Sequence, residues 1–497
     1  MPANKATGPT NNDFVGVHEL LTEESYWKAR TYFQFLLGAP SGMVGTIVRG
    51  ASVLRRKINP CTMAFALDAA PSSFMLRGLF MKSIKSVSVF GLGKLGGCIA
   101  ATLAQRGFNV LGVDVDPEKV RKVNEGLPPV DEPLLPQTMI AGQDRFRATQ
   151  EPSEAVSTDA SFFIPPSPSL PDGSFSSEYL LRAMQPLAKA LREAGKKGHL
   201  FVINSTTTPG SIDGVLIPML ERETGWTCGR DFGLCYNPEF IALGNVIGGL
   251  LEPDVVLIGE SDGENGRLLE ELYKKYNRNS PHVARMSIVS AELTKISVNS
   301  YITMKISFTN QLRLIAEKFP RADVHAILDA IGSDGRIGKK YLQAGLSYGG
   351  PCFPRDNRLL AFTARQVGLE APLAEAADRI NELTRQKLFE RVSGMLAPGD
   401  AVAVLGMSYK PNTCITEESA GLHLAQCLKR RGYRVLVHDY AATHSNSPSL
   451  HEFEILEDLE TIQNRKEIKV AVVCCSWPQY KDVKFHPETK VFTPWKR

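Results

Sequence analysis

The chain has 497 residues, 43% of them hydrophobic, enough for two or three domains that each bury a core. Its net charge of +4 is mild and the basic residues are scattered, which leaves no clustered footprint for nucleic acid but is compatible with a small anionic ligand. Nine cysteines without a CxxC pair argue against a disulfide framework or a zinc cage, so no metal is expected and a reducing, cytoplasmic compartment is.

Residues 1–80 form an N-terminal extension to which the sequence assigns no role. Its uncharged run from Thr31 to Val48 only touches the lower length limit for a membrane span and is broken by Gly38, Pro40, Gly42 and Gly45, so no span is expected. Charged and apolar regions stand in the wrong order for a secretory signal. Glu19, Glu23 and Glu24 do not suit a mitochondrial presequence.

From Met81 the stretch KSVSVFGLGKLGGCIAATLAQRGFNVLGVDVD predicts strand, glycine turn, helix, glycine stop and strand. Gly91, Gly93 and Gly96 make GxGxxG, in which the first glycine permits the turn, the second admits a pyrophosphate and the third lets the helix pack on the strand. Alone the motif is weak; the flanking elements and Asp114 at the end of the second strand strengthen it. A carboxylate there accepts from ribose hydroxyls and repels a 2′-phosphate, so the expected cofactor is NAD rather than NADP. Strand-like runs at 160–164, 200–204, 232–236 and 255–259, separated by helical stretches, predict a doubly wound parallel sheet over residues 81–286.

From about Ser287 more than thirty residues pass without Gly or Pro, and one helix of roughly 45 to 50 Å is expected at about 1.5 Å per residue. Glu292, Lys295 and Asn299 share one of its faces, as a solvated polar stripe or as part of a site. This central segment, 287–385, also holds GLSYGGPCFPRDN, with Cys352 between glycine and proline and Asp356 four residues on. A third segment, 386–497, repeats a βαβ rhythm without GxGxxG. It is either a structural domain or the cover of a second half of the ligand. The fold class is therefore α/β, with two Rossmann-like doubly wound domains joined by a long central helix.

Several long motifs, FGLGKLGG, VDVDPEKVRKVNEGLPPVDEPLL, INSTTTPGS, YNPEF, AELTKISVNSYITMKISFTNQ, DGRIGKKYLQAGLSYGGPCFPRDN and LGMSYKPNT, together resemble the UDP-glucose/GDP-mannose dehydrogenase family over Met81 to Arg497. The resemblance implies that a nucleotide sugar, UDP-glucose before others, is oxidised twice at C6 to the uronic acid with two NAD, through a thiohemiacetal and a thioester on Cys352. It assigns Lys295 and Asn299 to the C6 oxygen, Asp356 with Lys295 to a shared water as proton acceptor, and Glu239 and Thr206 to the hydrolytic water. Arg336, from a neighbouring subunit of a homodimer or higher oligomer, and Lys339, Tyr348, Gly349 and Lys410 are assigned to the nucleotide sugar. Glycines beside Cys352 are expected to let backbone approach the sugar. Arg355, Glu417, Val255 and Leu243 depart from the usual residues, which bears on the sugar more than on the chemistry, and GDP-mannose or another UDP-sugar is the alternative substrate. A two-electron 3-hydroxyacid dehydrogenase or a non-catalytic NAD-binding protein leaves Cys352 without a purpose. Because family-like sequence starts at Met81, residues 1–80 are expected to be dispensable.

Overall fold

A computed structural model of the chain describes residues 83–241 and 243–495. The 1–80 extension, its uncharged run and the proposed start at Met81 lie outside them.

The first domain is an eight-stranded sheet of β1 (Ser86–Phe90), β2 (Asn109–Val113), β3 (Phe146–Thr149), β4 (Ala160–Phe163), β5 (Leu200–Ile203), β6 (Gly233–Tyr236), β7 (Val255–Glu260) and β8 (His282–Ser287), in the order 3-2-1-4-5-6-7-8. Short apolar runs such as LFVI and ASFF are buried on both faces, as parallel strands covered by helices must be. The order reverses between β1 and β4, and open α/β sheets bind ligands in the crevice at such a point. One neighbour pair departs from the expected parallel pattern: β7 runs antiparallel to β6. The connection from β6 to β7, which includes a six-residue helix, Val246–Leu251, brings the chain back beside β6 without a crossover.

Helix α1 (Lys94–Gln105) follows the glycine turn, and its run of small residues, Gly96, Gly97, Ala100 and Ala101, is buried against the sheet. The central helix α2 (Ile288–Ala316) begins where the Ser287 hydroxyl accepts from the Ser290 amide. Its 29 residues span about 44 Å, a little under the expected length, because the chain turns at Lys318 and Phe319. Two further helices, α3 (Phe353–Gln366) and α4 (Pro372–Ser393), pack against it.

The last domain is an all-parallel sheet of β9 (Ala401–Leu405), β10 (Arg434–His438), β11 (Glu454–Ile455), β12 (Ile468–Val473) and β13 (Lys490–Phe492), with α5 (Ala420–Arg430) crossing from β9 to β10. Its order, 11-10-9-12-13, repeats that of the first five strands of the chain. It too reverses direction, between β9 and β12. No helix among the described residues is long and apolar enough to cross a membrane.

Candidate active site

The glycine turn is built for close approach. Gly91 sits at φ +95°, which favours glycine, and a Cβ on Gly96 would lie 1.8 Å from the Gly91 carbonyl oxygen. Around Gly93 nothing lies within 4 Å of a Cβ position, so the head of α1 is open to a phosphate-sized anion. Asp114 is buried at the tip of β2. Its carboxylate accepts the amides of Leu92 at 2.6 Å and Asp116 at 2.9 Å, and Lys119 stands 3.5 Å away. The turn and the acid fit a dinucleotide.

Helices α2 and α3 bring Lys295, Asn299, Cys352 and Asp356 together. Asn299 donates to Asp356 Oδ2 at 2.6 Å, and Lys295 Nζ donates to the Glu239 carbonyl at 2.8 Å and lies 4.9 Å from the Phe240 ring centre. Lys295, Asn299 and Asp356 are all buried. The helix face is therefore not a solvated stripe. Burial pushes the Asp356 carboxyl above its ordinary range, against the pull of Lys295, Asn299 and Arg355.

Cys352 occupies the N-cap position of α3, exposed to the cleft while protein atoms crowd its other sides. That crowding, then the Asp356 charge, raises the thiol above its usual range, and Lys295 and Arg355 oppose the rise. The resting group is a neutral thiol beside cations and a helix head that would favour a thiolate.

Beyond Lys295 lies Glu239, pushed up to about 7 by burial and hydrogen-bonded by Tyr273 Oη at 3.3 Å. Tyr273 also donates to Asn237, which in turn donates to the Leu257 carbonyl, so NPEF is fixed from behind. Thr206 is half-buried, and its hydroxyl has no hydrogen-bond partner among the described residues.

The residues assigned to substrate are placed unevenly. Lys410 lines a cavity of about 210 Å³ at the second switch point, with Tyr409, Cys474, Cys475, Trp495 and the 343–346 segment. Burial lowers its ammonium pKa, opposed by Glu132 and Cys352, so the loop after β9 reaches the neighbourhood of the thiol. Arg336 and Lys339 stay on the surface, paired with Asp334 and Asp329. The Tyr348 hydroxyl is taken by Asp378 of α4 and its amide by Asn381, which withdraws the phenol from the cleft.

The glycines beside Cys352 also meet the last domain closely. A Cβ on Gly349 would lie 2.2 Å from the Glu418 carbonyl oxygen, and one on Gly350 would lie 2.6 Å from the Tyr409 ring, while the Gly350 amide donates to the Glu417 carbonyl at 2.9 Å. They seat the cysteine loop against the last domain.

Of the four departures, Arg355 has a clear structural account. Its guanidinium donates to Ser169 Oγ at 2.8 Å and to the Ser167 carbonyl, and stacks 4.3 Å from the Phe175 ring centre. One planar fork makes all three contacts, which a lysine does not. Glu417 is exposed, and its charge raises the Cys352 thiol. Leu243 packs on the first core, and nothing in the structure explains Val255.

Sequence reasoning gave no role to Glu292, which is fully buried, or to Glu418, which is held at φ +54° and paired with Arg385 at 2.8 Å and Arg358 at 3.0 Å. Helical spacing puts Glu292 on the Lys295 face but does not say what it meets, and ion pairs across domains leave no periodic signal.

An exposed thiol beside a buried Lys–Asn–Asp cluster, a dinucleotide turn and a second switch point fit a dehydrogenase with two Rossmann-like domains. Family profiles agree along the chain: the NAD binding domain of the UDP-glucose/GDP-mannose dehydrogenase family matches residues 85–277, its central domain 289–383 and its UDP binding domain 403–494. UDP-glucose 6-dehydrogenase AglM of Haloferax volcanii is 34% identical over 367 residues, covering 72% of this chain and 84% of that protein. GDP-mannose 6-dehydrogenase of Pseudomonas putida is 32% identical over 378 residues, covering 74% and 85%. The solved UDP-glucose dehydrogenase of Pyrobaculum islandicum superposes with a TM-score of 0.76 at 32% identity, covering 84% of this chain and 95% of that one. The chain belongs to the UDP-glucose/GDP-mannose dehydrogenase family and is an NAD-dependent nucleotide-sugar 6-dehydrogenase.

Proposed function

We propose that this enzyme converts UDP-glucose to UDP-glucuronate in a cytoplasmic compartment, by two successive oxidations at C6 with Cys352 holding the carbon between them. The observation that carries the reading is the placement of Cys352 at the head of α3 beside buried Lys295, Asn299 and Asp356. NAD supplies a hydride acceptor for each oxidation.

In the first step Lys295 and Asn299 hold the C6 oxygen as negative charge grows on it, and Asp356 takes the hydroxyl proton through a water shared with Lys295. The aldehyde then receives the Cys352 sulfur. The S–C bond forms, the thiol proton ends on the carbonyl oxygen, and the thiohemiacetal that results can lose a hydride where a bare aldehyde lacks a good route. Loss of that hydride and of the hydroxyl proton leaves a thioester. Glu239, near neutral in its titration, deprotonates a water positioned with Thr206, and hydrolysis returns acid and free thiol.

Lys410 and Lys339, with Arg336 from a second subunit, supply cations to the diphosphate, and the Tyr348–Gly349 backbone lies against the sugar. Relatives acting on UDP-glucose and on GDP-mannose are similar to this chain at 34% and 32% identity, so a turnover panel of UDP-glucose, GDP-mannose and N-acetylated UDP-sugars tests the substrate. UDP-glucose is expected to turn over fastest with two NADH per sugar. One NADH per sugar, or faster turnover of another sugar, contradicts the reading.

A second copy is expected along α2, where Tyr301, Phe308 and Ile315 are exposed at seven-residue spacing. Sedimentation should give at least a dimer, and Phe308→Glu should shift it toward monomer with loss of turnover. A monomeric, fully active wild type would refute the arrangement.

A further inference from the structure

Glu292 shares the Lys295 face of α2, one turn earlier, yet has no part in the scheme above. Its carboxylate is fully buried and accepts three hydrogen bonds from one short segment: Thr207 Oγ1 at 2.9 Å, the Gly210 amide at 2.7 Å and the Ile212 amide at 3.3 Å. That segment begins at Thr206. Gly210 bends at φ +86°, and a π-helical turn, Ile212–Leu216, follows. Thr207 points inward to Glu292, while the adjacent Thr206 is left half-buried with its hydroxyl unengaged among the described residues. Near it lies buried Tyr236, whose phenol is raised by burial and then by the Glu292 charge. Tyr236 stands three residues before Glu239. One carboxylate thus binds the Thr206 turn to the helix of Lys295, and its charge reaches Tyr236 at the root of the Glu239 segment.

We propose that Glu292 is a positioning residue for thioester hydrolysis, fixing the 206–212 turn on α2 so that the Thr206 hydroxyl and the Glu239 carboxylate hold one water between them. The proposal rests on the hydrolytic roles given to Thr206 and Glu239. Its physical basis is the donor count. Three donors converge on two carboxylate oxygens, and a neutral amide in the same place offers one acceptor and turns an N–H toward a donor. The turn must then shift, and a displacement of about 1 Å at a reacting group costs on the order of 100-fold. Lys295, Asn299 and Asp356 lie on α2 and α3 and do not depend on that turn, so the two hydride steps are spared.

The test is rapid mixing of Glu292→Gln enzyme with UDP-glucose and NAD, following NADH and the mass of acid-quenched protein. The expected result is a burst of two NADH per site at near wild-type rate, then a steady state slowed roughly 10- to 100-fold, with sugar nucleotide accumulating on Cys352. Thr207→Val, which keeps the carboxylate on its two amides, should show the same signature at a few-fold and decides the matter if the glutamine variant fails to fold. Hydride and hydrolysis steps slowed in equal proportion, or an unchanged steady state, would overturn the proposal. Glu239→Gln is measured in parallel. If it accumulates no adduct, the hydrolytic reading itself has failed; if it does and the Glu292 and Thr207 variants do not, only the positioning role falls.

Discussion

Cys352→Ala enzyme is expected to lose acid formation from UDP-glucose by more than about a thousandfold while still binding NAD and the nucleotide sugar. The reason is the second oxidation. A carbonyl carbon has no good hydride to give until a nucleophile adds to it, and among the described cysteines only Cys352 is exposed. Cys98, Cys235, Cys474 and Cys475 are buried and Cys228, Cys414 and Cys427 partly so, and none of these described thiols stands at the head of α3. The variant leaves Lys295, Asn299 and Asp356 intact, and a first NADH with aldehyde is still allowed. Calorimetric titration with NAD and UDP-glucose, beside an assay of acid, separates lost chemistry from lost binding. Acid made at near wild-type rate would remove Cys352 from the mechanism.

Lys295→Ala should slow the first oxidation by roughly 100- to 1,000-fold, the usual cost of one preorganised donor to a developing oxyanion. NAD binding should change little, because the side chain reaches the Glu239 carbonyl and the Asp356 site rather than the glycine turn. The pH profile adds a sign. The Lys295 charge holds the Asp356 carboxyl down against burial, so its removal raises that carboxyl further. The proton acceptor then becomes active only at higher pH, and the alkaline-rising limb of the residual rate should move upward. A rate and a pH limb both unchanged would make the α2 face structural.

Much of this was readable because it is local in sequence. Gly91, Gly96 and Asp114 lie within one βαβ unit, and the α2 face follows from helical spacing over eight residues. Cys352 and Asp356 are four residues apart, so their meeting is fixed by one helical turn. What escaped depends on packing between distant segments. The contact of Arg355 with Ser169 joins residues 186 apart, and the close fit of Gly349 and Gly350 to Glu418 and Tyr409 joins two domains. Tyr348 could not be seen to spend its hydroxyl on Asp378. β11, of two residues, and β13, of three, are too short to carry alternation, and the antiparallel β7 follows from the return of its connection.

Intact-mass and peptide analysis of Cys352→Ser enzyme after incubation with UDP-glucose and NAD bears most directly on covalent catalysis. An alkoxide leaves less readily than a thiolate, so the serine variant should stall as an oxygen ester, with the mass of the acylated sugar nucleotide mapped to position 352. Continued release of acid by this variant with no adduct at position 352 would contradict the account.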